Sequence, residues 1–160
     1  MSKKIVFTAG GTGGHIFPAI HLMNHFSEQG YEVLLVTDHR GKKFISNISK
    51  FRSHELTTDT PTNKNIFKKI FSIFSILISI LKSIKIIKKE KPDLIFGLGG
   101  YISFPISLAS KIFRLPLVIY ESNIIMGRTN KFLSPLSSKI FLAREMSIID
   151  LRKDKFSDKY

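Results

Sequence analysis

Four glycines fall within five residues, at Gly10, Gly11, Gly13 and Gly14, directly after the apolar run Ile5-Val6-Phe7-Thr8-Ala9 and directly before His15. The run reads as a strand and the glycines as a tight turn. Ile16, Ala19, Ile20, Met23 and Phe26, spaced by three and four, read as a helix from His15 to about Gln29 that stops at Gly30. Without Cβ atoms the turn lets backbone N–H groups approach a ligand closely. The partial positive charge at the start of the following helix makes that ligand an anion, and a phosphate or diphosphate is the natural guest.

The opening unit continues into Glu32–Thr37, whose Val-Leu-Leu-Val suits a strand buried on both faces. Strand, helix and strand with short connections make a right-handed βαβ unit and hence a parallel sheet. Asp38–Gly41 reads as a polar loop, Lys42–Ile48 as a short helix, Ser53–Thr57 as a weak strand and Asp59–Asn63 as a loop. The strand Pro92–Phe96 then runs into Gly97-Leu98-Gly99-Gly100-Tyr101, repeating the opening device. A helix is expected from Ser103, as N-cap, through Phe113, with Pro105 in its first turn. Leu115–Tyr120 is a further strand ending in Glu121-Ser122-Asn123, followed by a helix over Arg128–Leu136 and a strand over Lys139–Ala143. Three polar features thus leave the carboxyl ends of parallel strands, the edge at which open α/β sheets bind ligands. The expected architecture is one Rossmann-like domain over residues 1–143, a parallel sheet with helices on both faces. A charged tail over 144–160 shows no core face.

The 25 Lys and Arg against 12 Asp and Glu, a formal charge of +13, favour anionic partners. Nucleic acid is set aside because no aromatic-interleaved basic motif accompanies the charge. The absence of Cys excludes disulfides and thiolate metal sites. The five His residues show no H-E-x-x-H pattern, and His21 and His25, one turn apart, lack a nearby acid, so no metal is expected. The apolar stretch behind Lys3 and Lys4 is too short for a signal peptide, which points to the cytoplasm. Residues 65–89 stand apart. Their longest uncharged run, Ile70–Leu81, has 12 residues, short of the roughly 18 needed to span a bilayer. On a helix, Lys68, Ser72, Ser75, Ser79 and Ser83 fall on one narrow stripe, and most of the remaining surface is apolar. One reading buries this helix between the sheet and a neighbour. The other turns one apolar side to the sheet and another, with Phe67, Ile70, Phe71, Ile73, Phe74 and Leu77, to an anionic membrane surface, where Lys64, Lys68 and Lys69 before the run and Lys82, Lys85, Lys88, Lys89 and Lys91 around its end meet headgroups.

Single motifs discriminate poorly here. No Lys follows Gly14, which excludes a P-loop, and the dinucleotide fingerprint fails because Ile16 stands where its third glycine belongs, although Asp38 leaves a ribose contact open. The combination is more specific. Gly10-Gly11-Thr12-Gly13-Gly14-His15-x-x-Pro18, Gly97-x-Gly99-Gly100-Tyr101-x-Ser103 and Glu121-x-Asn123, in this order, resemble the N-terminal half of the MurG family. These are bacterial UDP-N-acetylglucosamine:undecaprenyl-diphosphoryl-muramoyl-pentapeptide N-acetylglucosaminyltransferases. The resemblance implies the N-terminal half of a GT-B glycosyltransferase, a peripheral enzyme of the cytoplasmic face of the inner membrane acting in peptidoglycan synthesis, and so in cell shape and division. It implies that the tail leads towards a donor-binding domain outside these 160 residues. It further implies that both glycine loops hold the diphosphate of the undecaprenyl-linked acceptor, with Tyr101, Ser103 and Glu121 in the site. Thr12, Gly13, Gly14 and Asn123 would face the donor UDP-N-acetylglucosamine, and His15 would be the base on the acceptor hydroxyl. No cofactor is implied. The family usually has His-Glu-Gln-Asn where this chain has Tyr120-Glu121-Ser122-Asn123, and often a small residue in place of Phe104. A different reading makes the chain a non-catalytic, membrane-anchoring subunit that recruits a separate donor-binding subunit.

Overall fold

The computed structural model describes residues 2–46, 51–57 and 66–143, with the side chains of Ser46 and of residues 66–70 outside that description. In chain order the elements are β1 (Lys4–Thr8), α1 (Gly13–Glu28), β2 (Glu32–Thr37), α2 (His39–Ser46), β3 (Ser53–Glu55), α3 (Ile66–Glu90), β4 (Leu94–Gly97), α4 (Ser103–Ile112), β5 (Leu117–Glu121), α5 (Arg128–Leu133), a 3₁₀ turn (Ser134–Leu136) and β6 (Lys139–Leu142). The strands form one parallel sheet of six in the order β3-β2-β1-β4-β5-β6.

Successive strand residues point to opposite faces, so the sheet carries two cores. Phe7 and Leu35 pack under α1 with Ile16, Ala19 and Met23. Val6, Ile95 and Ile119 pack on the other side under Ile86 and Ile87 of α3, Ile106 of α4 and Leu133 of α5. The loop expected over Asp38–Gly41 is shorter than that, because His39 already begins α2. Asp38 is the reason: its Oδ1 accepts the Gly41 N–H at 2.8 Å, capping the helix.

Helix α3 is oriented against expectation. Its apolar residues reach the core only near its end, at Ile84, Ile86 and Ile87. Before that, the serine stripe faces the fold: Ser72, Ser79 and Ser83 are fully buried, while Phe71, Ile73, Phe74, Leu77, Ile78 and Leu81 are each more than half exposed. Small hydroxyl side chains on this face let α3 lie close against α4. The hydroxyls are satisfied locally: Ser83 donates to the Ser79 carbonyl at 2.7 Å, and Ser79 reaches the carbonyls of Ser75 and Thr57. The outward apolar face agrees with the membrane-facing expectation at Phe71, Ile73, Phe74 and Leu77. Lys64 lies outside the described residues, as do the side chains of Phe67, Lys68, Lys69 and Ile70, and the tail 144–160. Among the described residues no helix is long and apolar enough to cross a membrane.

The end of α3 is fastened to the amino edge of the sheet through Glu90, which is buried. Its carboxylate accepts from Arg52 at 2.7 Å and Lys4 at 3.3 Å, and His54 Nε2 lies 2.9 Å away. Burial pushes the Glu90 pKa up, but hydrogen bonds from His54, Lys4 and Arg52, with the Arg52 charge, more than reverse this and hold it at about 2.

Candidate functional site

Strands β1 and β4 are neighbours, yet the chain leaves β1 towards β2 and leaves β4 towards β5. Their carboxyl ends are therefore a topological switch point, where the loops following both strands open into one crevice. Both glycine loops lie here and touch backbone to backbone. Gly100 has φ +79°, and a Cβ on it would stand 2.9 Å from the Gly10 carbonyl oxygen, so only glycine fits. A Cβ on Gly99, at φ +97°, would come within 3.0 Å of the His15 ring.

Ser103 is not the expected cap: Ile102 occupies the cap position, with no side-chain cap bond. The Ser103 hydroxyl is instead buried between the loops, 2.7 Å from the Gly99 carbonyl and 3.1 Å from that of Thr8. It ties the second glycine loop to the end of β1. Thr12 precedes α1 without a side-chain cap bond, and its carbonyl takes the His15 and Ile16 N–H groups, which leaves the Gly13 and Gly14 N–H groups at the helix start for a ligand. His15, half-buried, has Nδ1 3.3 Å from Thr12 Oγ1. In the tautomer that donates Nδ1–H to Thr12, the Nε2 lone pair is unblocked beside Gly99.

The third loop is organised around Glu121. Its carboxylate is buried, and both oxygens are occupied within the loop. Oε1 accepts from the Asn123 backbone and side chain at 2.9 and 2.7 Å, and Oε2 from Gly127 N–H and Asn130 Nδ2, both at 2.9 Å. Glu121 thus shapes the wall rather than offering a free oxygen, whereas Asn123 is exposed. Together His15, Gly99, Gly100, Tyr101, Glu121 and Asn123 line one cleft of about 210 Å³. Gly10, Gly97 and Ser103 are buried behind it, and Gly11, Thr12, Gly13 and Gly14 form the adjoining start of α1.

Sequence reading missed three residues. Asn130 hydrogen-bonds to Glu121 and to the Tyr120 carbonyl, and its buried Oδ1 has no partner. Arg128 also lines the cleft. Arg40 stands over the first loop, 3.3 Å from the position a Gly11 Cβ would take, with Asp38 Oδ2 3.6 Å away. Arg40 and Asn130 carried no local signal, since only the start of α2 and the fold of the Glu121 loop bring them to the site. Asp38, the possible ribose contact, has one oxygen in the α2 cap and the other near Arg40. Among the described residues no group of three His, Cys, Asp or Glu side chains is placed to hold a metal ion.

Known proteins resemble this chain in sequence and fold. Residues 5–142 match the family described as glycosyltransferase family 28 N-terminal domain. A Protochlamydia amoebophila protein named UDP-N-acetylglucosamine–N-acetylmuramyl-(pentapeptide) pyrophosphoryl-undecaprenol N-acetylglucosamine transferase is 38% identical over 142 residues, covering 88% of this chain and 38% of the relative. A Rickettsia canadensis protein of the same name is 38% identical over 141 residues, with the same coverage. The crystal structure of Acinetobacter baumannii MurG superposes with a TM-score of 0.80 at 25% identity, over 91% of this chain and 43% of that one. The Staphylococcus aureus MnaA–UDP structure shares the fold at 18% identity and a TM-score of 0.66, over 98% of this chain and 42% of that one. The chain spans about two fifths of the length of these relatives.

Proposed function

The chain belongs to the glycosyltransferase family 28 N-terminal domain family, and from that premise we propose that it binds the acceptor of an inverting N-acetylglucosaminyltransferase of peptidoglycan synthesis. The acceptor is undecaprenyl-diphosphoryl-muramoyl-pentapeptide, and residues 1–143 form the domain that holds it. The observation that carries this reading is the contact of two glycine loops beside His15 at the switch point of the sheet. The acceptor diphosphate lies against the N–H groups of Gly11, Gly13 and Gly14 and of Gly99–Tyr101, where the opening of α1 adds its partial positive charge.

His15 Nε2 takes the proton from the muramoyl 4-hydroxyl as its oxygen attacks the anomeric carbon of N-acetylglucosamine and the bond to UDP breaks on the opposite face. Thr12 orients the His15 ring through its hydroxyl at Nδ1, which makes it a positioning residue. UDP-N-acetylglucosamine meets this domain at Thr12–Gly14 and Asn123. Most of its contacts come from a donor domain corresponding to the remaining length of the relatives. The exposed apolar face of α3, followed by Lys82, Lys85, Lys88 and Lys89, rests on the anionic cytoplasmic surface of the inner membrane.

Co-sedimentation with anionic vesicles tests the proposal. Adding the lipid-linked acceptor to the vesicles is expected to raise the fraction bound, and Gly100→Val to abolish that increase. Equal binding with and without the acceptor would overturn the acceptor-binding role. Polar replacement of Ile73, Phe74 and Leu77 is expected to lower binding to all vesicles; unchanged sedimentation would remove α3 as the membrane contact.

A further inference from the structure

A second hollow, of about 540 Å³, opens on α5 and the 3₁₀ turn between Arg128, Lys131, Phe132, Pro135 and Leu136. It is a shallow, open depression with a mostly apolar lining. Arg128 lines this groove and also the glycine-loop cleft, so the two hollows adjoin at one residue. Their chemistry differs. The cleft offers an imidazole, glycine backbone and amide groups, whereas the groove offers an aromatic ring and aliphatic surface flanked by two cations. Phe132 is 62% exposed and is braced by an edge-to-face contact with Phe104, ring centroids 5.2 Å apart. Phe104 is itself packed on the core beneath α4. A bulky residue in the first turn of α4 thereby holds an exposed ring in place as one wall of the groove.

We propose that this groove binds the first isoprenoid units of a polyprenyl diphosphate whose diphosphate lies at the glycine loops, with Arg128 at the junction of the two. The inference rests on the acceptor-binding reading above. A polyprenyl diphosphate is an anion with an apolar chain attached at one end, so a protein that holds the anion in the cleft must accommodate the first carbons beside it. The groove meets that requirement by its position, and Arg128 and Lys131 complement the charge at its mouth. Helix α5 packs on the same side of the sheet as α3 and α4.

Calorimetric titration of the chain with inorganic diphosphate and with farnesyl diphosphate below its micellar concentration tests this. The farnesyl compound is expected to bind at least about tenfold more tightly, because burying even a few methylene groups suffices for that factor. Phe132→Ser with Leu136→Ser is expected to reduce the advantage to under about threefold, with unchanged affinity for inorganic diphosphate; a lower thermal midpoint is expected from Leu136, which packs on the core, so binding is measured well below it. Arg128→Gln is expected to weaken both ligands. Equal affinity of the wild type for the two ligands overturns the groove and leaves the anion site standing, a comparison that needs no variant. Survival of the advantage in the double variant, or its loss in Leu77→Ser instead, also overturns the groove. Failure of either ligand to bind the wild type overturns the acceptor reading together with the groove.

Discussion

The two ends of the same parallel sheet handle polar groups in opposite ways. At the amino edge, charges are matched: Glu90 is buried among Arg52, Lys4 and His54, and Lys4 also meets Glu32 at 2.9 Å. At the carboxyl edge, the opening of α1 is uncapped by any side chain, the His15 ring has one engaged nitrogen, and Asn130 Oδ1 has no partner. Both edges are built by equally regular strands, so the difference does not come from the sheet. Saturated charge fixes the fold, and capacity left open at the switch point is what a ligand can use. Glu121 belongs to the first kind although it lies at the second edge. Its four hydrogen bonds saturate it, and it holds the unsaturated groups in place.

That contrast can be broken by substitution. Glu121→Ala is expected to have the largest effect, a loss of about 4 kcal/mol as four donors lose a buried carboxylate, seen as a thermal midpoint lower by about 10 °C and a weaker affinity for diphosphate. Gly100→Ala follows at about 3 kcal/mol, from the positive φ and the clash with Gly10, again with loss of diphosphate binding. Unaltered binding in either variant would separate the loops from the anion site. Glu90→Gln is expected to cost about 2 kcal/mol, less than a fully buried pair because Arg52 remains solvated, and to leave diphosphate binding intact. Its sign with pH is defined. Because the folded pKa is depressed from 4.5 to about 2, the Glu90 contribution is complete above 4.5 and is lost as pH falls towards 2. Thermal midpoints measured across that range should fall for the wild type more steeply than for Glu90→Gln, and parallel curves would contradict the assigned pKa. Phe74→Ser with Leu77→Ser should have the smallest effect on stability, within about 0.5 kcal/mol, because both side chains are exposed. A large loss would show that this face of α3 is packed.

The sheet and both glycine loops were legible in the sequence because they depend on local patterns: apolar runs of strand length, glycines directly after them and helical spacing thereafter. The expected parallel order followed from the short crossovers. What was not legible depended on tertiary partners. The serine stripe of α3 could be located on its helix, but not its direction, because hydrophobic spacing favours turning isoleucine inward. The inward direction depends on the packing of α3 against α4, a tertiary contact that the spacing within α3 does not encode. Ser103 carried the signature of a cap, yet its hydroxyl is drawn to Gly99 and Thr8 by a strand 95 residues away in sequence. Glu121 and Asn123 could be named from their motif, but their division into wall and exposed contact could not, since it requires Gly127 and Asn130 to return to the same carboxylate.

Amide chemical-shift mapping of the chain during titration with inorganic diphosphate tests the central claim most directly. Gly11–His15 and Gly99–Tyr101 are expected to shift together along one saturating curve, with Arg40 and Arg128 moving alongside them. Saturating shifts confined to the lysine-rich end of α3, with both glycine loops silent, would contradict it.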